Sequence, residues 1–119
     1  MIGLIRYILR LFGGDFLRTV EQLRSLPESA KSITKPELIA RLRALAERRP
    51  RTREEQTQLA AELFVLGERI ERSPVCNETP HNIWHFLSDA DIRFKDARYA
   101  KSQLDDTLAI LKQWERTNA

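Results

Sequence analysis

The chain is predicted to be all-α: a single-domain bundle of about five helices, with an antiparallel helical hairpin (35–49/52–72) and a long C-terminal helix. Three observations carry this. Apolar residues recur at spacings of three and four in one segment after another, and no stretch alternates with the period of two that a half-buried strand requires. Threonine-based start signals and prolines punctuate those segments. Only four glycines and five prolines are available, too few for a sheet and its turns. At 119 residues the whole of 1–119 is expected to form one domain around one core.

Residues 2–12, IGLIRYILRLF, open the chain with a helical pattern that is apolar nearly all round. Gly3, Arg6 and Arg10 form only a narrow polar strip, so the segment 1–14 is either core or meets something outside the monomer. Burying five or six of its side chains would contribute on the order of 10 kcal/mol before entropy is subtracted. Gly13-Gly14 offers a break, and Asp15 can cap a second piece whose stripe is Phe16, Leu17, Val20, Leu23 and Leu26. Glu28 to Ile33 reads as a polar link. Thr34-Lys35-Pro36-Glu37 is a helix start, with a threonine cap, proline just inside and glutamate three residues on. Leu38, Ile39, Leu42, Leu45 and Ala46 give the buried stripe of 35–49.

The clearest helix is 52–72. Thr52 with Glu55 reads as a capping box, and Glu54 and Glu55 favour the positive end of the helix dipole. Leu59, Leu63, Leu66 and Ile70 form the stripe, and Ser73-Pro74 ends it. The short connection from Pro50 to Thr52 predicts that 35–49 and 52–72 pack as an antiparallel hairpin. SPVCNETP, 73–80, reads as a loop. A short helix over 80–87 follows, inserting Trp84 and Leu87 near the junction. Ser88 and Asp91 suggest a fresh cap before one long helix from Asp89 to about residue 116. Its apolar side is Phe94, Ala97, Ala100, Leu104, Leu108, Leu111 and Trp114, widened by Ile92, Tyr99 and Ile110. Arg93, Lys95, Arg98, Lys101, Asp105, Asp106 and Lys112 are its expected solvent face.

Net charge is +3 but uneven: residues 1–53 carry 12 Lys/Arg against 5 Asp/Glu, and residues 54–119 carry 8 against 12. Either the chain presents a basic face to an anionic partner or its halves neutralise each other in the fold. The single cysteine, Cys76, excludes an internal disulfide. The first twelve residues lack a basic leader and are interrupted by arginine, so they do not read as a signal peptide, and they are too short to span a bilayer. A cytoplasmic protein is expected.

Three places are candidates for function. The first is the N-terminal segment, where Ile5, Ile8, Leu9 and Phe12 would form a protein interface or a self-association surface, or Arg6 and Arg10 would hold it peripherally on an acidic membrane. The second is the turn containing Arg48, Arg49, Arg51 and Arg53, whose guanidinium forks match phosphate or carboxylate. It has no interleaved aromatic for base stacking and no nucleic-acid-reading motif. The third is His81 and His85, four apart on one helix face, with Asp89 one turn further on as a weak third metal ligand. The competing structural role there is an exposed His81, with His85 capping the helix or bonding Asp89. No nucleophile has a base and an orienting partner, and no phosphate loop is present, so neither catalysis nor a cofactor is expected. The sequence therefore points first to a non-catalytic helical module acting through a protein partner or homo-oligomer. An anion-binding module for nucleic acid or an acidic membrane, using Arg6, Arg10 and the 48–53 turn, comes second, and a metal-dependent site third.

Overall fold

The computed structural model of the chain describes residues 14–117. Helix α1 covers 14–24, and a 3-10 turn follows at Pro27–Ala30. Then come α2, Lys35–Glu47; α3, Arg53–Glu71; a second 3-10 turn, Pro74–Glu78; α4, His81–Ser88; α5, Ala90–Lys95; and α6, Ala97–Arg116. The described residues contain no strand, and the bundle is all-α as expected. Ile5, Ile8, Leu9, Phe12, Arg6 and Arg10 lie outside the described residues.

Gly14 is already helical, so Asp15 lies inside α1 instead of capping it, and its carbonyl accepts from Thr19 Oγ1 at 2.8 Å. Phe16 and Val20 are buried, but Leu17 and Leu26 from the predicted stripe are exposed. The Phe16 ring meets Phe64 of α3 edge-on, with centroids 5.8 Å apart. Arg24 forks onto both carboxylate oxygens of Glu68 and lies over the Phe64 ring.

The α2 stripe is buried as its spacing predicts, with Leu38 and Leu42 fully enclosed. Its capping box is complete: Thr34 Oγ1 accepts from Glu37 N, and the Glu37 carboxylate takes the Thr34 N–H at 3.1 Å and its hydroxyl at 2.7 Å. Those bonds from Thr34 hold the Glu37 carboxyl below the ordinary 4.5. Glu115 is likewise lowered by the bidentate Arg43. A carboxyl depressed in the fold contributes stability that is present above its unfolded pKa and is lost as pH falls through the folded one. Stability towards urea is therefore expected to hold from neutral pH to about 4.5 and then to decline. Glu37→Gln removes part of that acid-side slope; a slope identical to that of the parent chain would show that the box does not contribute to it.

α3 buries Leu59, Leu63, Leu66 and Ile70 as predicted. Only half of its expected capping box forms. Thr52 Oγ1 accepts from Glu55 N at 3.1 Å, while Glu55 reaches past the cap to the Arg51 N–H at 3.2 Å. At the other end Arg69 and Arg72 donate to the carbonyls of Lys31 and Ser29, both at 2.8 Å. Ser73 Oγ accepts from Ile33 N and donates to Arg69 O. The 28–33 link is thus tied down along its length, and Ile33 is core rather than polar spacer. The loop at 73–80 likewise contributes a 3-10 turn and buried Val75.

Two corrections concern the C-terminal third. Ser88 does not start a helix: it lies in the last turn of α4, and its hydroxyl donates back to Trp84 O. The predicted helix 89–116 is divided at Asp96, whose backbone is extended and whose carboxylate accepts the Tyr99 N–H at 3.0 Å. A side chain that satisfies an open first-turn donor offsets the helical bond given up there. The buried side of α6 shifts accordingly. Thr107, Leu111 and Trp114 are buried and Gln103 is half-buried, whereas Leu108 and Ala97 are exposed. Ile92 of α5 is exposed as well. On α4, Ile83, Phe86 and Leu87 are the core residues, with Trp84 packed beside them.

α2 packs most extensively on α6, and the two run antiparallel, whereas its contact with α3, its partner in the predicted hairpin 35–49/52–72, is slighter. Lys35 Nζ reaches Thr117 O at 2.6 Å and lies over the Trp114 ring, while Leu45 and Pro50 face Ala97 to Asp105. α2 and α3 are joined through Glu62, which accepts from Arg41 at 2.9 Å and Arg48 at 2.6 Å. The uneven charge is partly offset here. Arg24–Glu68, Lys35–Glu78, Arg41–Glu62, Arg43–Glu115 and Arg48–Glu62 all pair a cation of the first half with a carboxylate of the second. Exposed pairs of this kind contribute little individually; together they match the two halves in register.

Candidate functional site

Arg48, Arg49 and Pro50 of the arginine turn form one wall of a groove of about 570 Å³. The opposite wall is the end of α5 and the first half of α6. Leu45, Leu59, Phe86, Phe94 and Leu104 supply apolar lining. Four cations, Arg48, Arg49, Arg93 and Lys101, line the groove with one carboxylate, Asp105, and Arg48 is also paired with Glu62 outside the lining. Of the predicted anion-binding set, the structure brings Arg48 and Arg49 to the groove; Arg51 and Arg53 are exposed on the turn and do not line it. Arg49 Nη1 donates to Ala46 O at 2.6 Å and to Arg48 O at 3.1 Å, closing carbonyls that the end of α2 leaves open. Lys101 Nζ is 3.0 Å from Asp105 and strongly exposed, so it is a rim charge.

Arg93 was expected on the solvent face and is instead 9% exposed. Its guanidinium lies 4.4 Å over the Phe86 ring. Nη1 donates to Phe86 O at 2.7 Å and to Gln103 Oε1. Gln103 Nε2 in turn donates to Asp89 Oδ2 at 2.9 Å and to Tyr99 Oη at 3.1 Å, and the Tyr99 hydroxyl donates to Asp89 Oδ2 at 2.6 Å. One chain of bonds thus links α4, α5 and α6, running from Arg93 and Phe86 in the groove to Gln103 and Tyr99, which line the cleft beside His81 and His85. Burial pushes the Arg93 guanidinium down to about 10, still cationic at neutral pH. The hydrogen bond to Asp89 raises the Tyr99 phenol. The only sequence signal for Arg93 was its position between Ile92 and Phe94; nothing marked Gln103 as its partner.

His81 and His85 do share a face. Their Nε2 atoms are 3.0 Å apart, with rings edge to face at 85°. Asp89 does not extend that row, because its carboxylate is engaged by Tyr99 and Gln103. His85 bonds His81 rather than Asp89, and only its carbonyl, which accepts Asp89 N at 2.9 Å, takes part in ending α4. Among the described residues no three His, Cys, Asp or Glu side chains converge as a metal cluster. Cys76 is a half-buried free thiol, and no described helix is long and apolar enough to cross a membrane. Comparison of the chain with protein-family models, with curated proteins and with solved structures finds no match.

Proposed function

We propose that this chain is a non-catalytic helical module that binds a protein partner, and that the partner presents an acidic amphipathic helix to the groove beside the arginine turn. The observation that supports it is the combination of apolar lining with an excess of cations: four line the groove, one of them paired with Glu62, beside the single lining carboxylate Asp105. Leu45, Phe94 and Leu104 match the apolar side chains of such a helix, and the Arg49 and Lys101 rim matches flanking Asp or Glu. A volume of about 570 Å³ is of the size that receives a few side chains. A nucleic-acid backbone would satisfy the rim but leave the apolar lining in water, so a protein fits better. The chain's own residues 2–12 are a poor occupant, since Arg6 and Arg10 repeat the sign of the rim.

The test is amide chemical-shift mapping with a short Leu/Glu amphipathic peptide and its Leu/Lys counterpart as probes. The expected result is shifts around the groove with the acidic peptide alone. Lys101→Glu or Leu104→Lys should weaken binding roughly tenfold or more, and added salt should weaken it further. Equal binding of the basic peptide, or shifts confined to other faces, would overturn the reading. The apolar pattern of 2–12 supports a second contact, self-association through Ile5, Ile8, Leu9 and Phe12. For that contact, Ile5→Glu or Ile8→Glu should lower the solution mass measured by light scattering while the far-ultraviolet spectrum stays helical.

A further inference from the structure

We infer that His81 and His85 form a two-imidazole chelate for a divalent transition metal, Cu(II) foremost. This site is separate from the groove and independent of the protein-binding proposal. Spacing and access carry it. The two Nε2 atoms face each other at 3.0 Å across one turn of α4, and both side chains are exposed. Two metal–nitrogen bonds of about 2.1 Å close on one ion from nitrogens roughly 3.0–3.4 Å apart, so a small rotation of either exposed ring converts the hydrogen-bonded pair into a chelate. Among divalent ions, imidazole nitrogen holds Cu(II) more tightly than Ni(II) or Zn(II).

Without an ion, one Nε2–H donates to the other ring's lone pair. Chelation requires both Nε2 atoms bare, with each ring's N–H on Nδ1. Oxygen donors are at hand, because the same cleft, about 300 Å³, is lined by Ser102, Gln103 and Asp106. No third side chain is close enough to complete a cluster with the two rings, so the remaining positions fall to water or to Asp106 after a side-chain rotation. The Asp89–Tyr99–Gln103 bonds behind the cleft fix α6 against the end of α4 and keep the cleft's shape.

Untagged full chain is titrated with CuSO₄, NiCl₂ and ZnCl₂ in a weakly coordinating buffer. Calorimetry gives the affinities, and electron paramagnetic resonance gives the copper environment. The expected result is one Cu(II) per chain with two imidazole nitrogens, copper bound more tightly than nickel or zinc, and a loss of roughly tenfold or more in copper affinity in His81→Ala and in His85→Ala. Both side chains are exposed, so each variant should keep its helical spectrum, and that is checked alongside. Copper held equally well by the double variant, or a one-nitrogen spectrum, would overturn the assignment.

Discussion

Phe86→Ala is expected to lower the free energy of unfolding by about 3–5 kcal/mol, the range for emptying a close-packed aromatic site. Phe86 is 1% exposed, on the face of α4 that enters the core. Its ring also carries the Arg93 guanidinium. Alanine removes the ring from the core and strips Arg93 of its apolar support, so the cavity cannot close without exposing a charge. For a domain of this size the loss is a large share of total stability, and the thermal midpoint should fall by on the order of 10–20 °C. Urea unfolding followed by circular dichroism measures it. A loss under about 1 kcal/mol would mean that the site collapses around the gap.

Arg93→Ala is the second large effect, expected at about 2–4 kcal/mol. The cost does not lie in a salt bridge. Removing the guanidinium leaves Phe86 O and Gln103 Oε1 without their donor in a largely buried place. It also frees Gln103 to turn away from Asp89 and Tyr99. Arg93→Met keeps the apolar stem over the Phe86 ring and loses only the donors, so it should cost less than alanine. Alanine at both 86 and 93 should cost less than the sum of the two single losses by about 0.5–2 kcal/mol, because the ring and the guanidinium support each other. Strict additivity in that cycle would contradict the contact described here.

α2 and α3 were legible from spacing because their buried residues follow helix geometry and nothing else. Leu38, Leu42 and Leu45, or Leu59, Leu63 and Leu66, face the core whichever neighbour covers them. Thr34 with Glu37 was legible for the same reason: donor and acceptor lie three residues apart, so the contact is complete within one turn. The Thr52 box failed by one bond because Glu55 had a second local donor, Arg51 N, within reach, and spacing alone does not choose between them.

What the sequence determined by itself, then, was the all-α class, the stripes of α2 and α3, their prolines and their first caps, all set by interactions spanning four residues or fewer. Tertiary structure alone decided that Arg93 turns inward, that Ile33 is core and that Leu108 is not. It also decided that Glu62 takes both Arg41 of α2 and Arg48 just beyond its end, and that a groove opens beside Arg48 and Arg49. Each of these depends on which surface arrives from a distant part of the chain. Gln103 receives Arg93 from ten residues away, and Ser73 receives Ile33 from forty. A charged side chain is buried only where such a partner meets its hydrogen bonds, and no periodicity within one helix records that meeting.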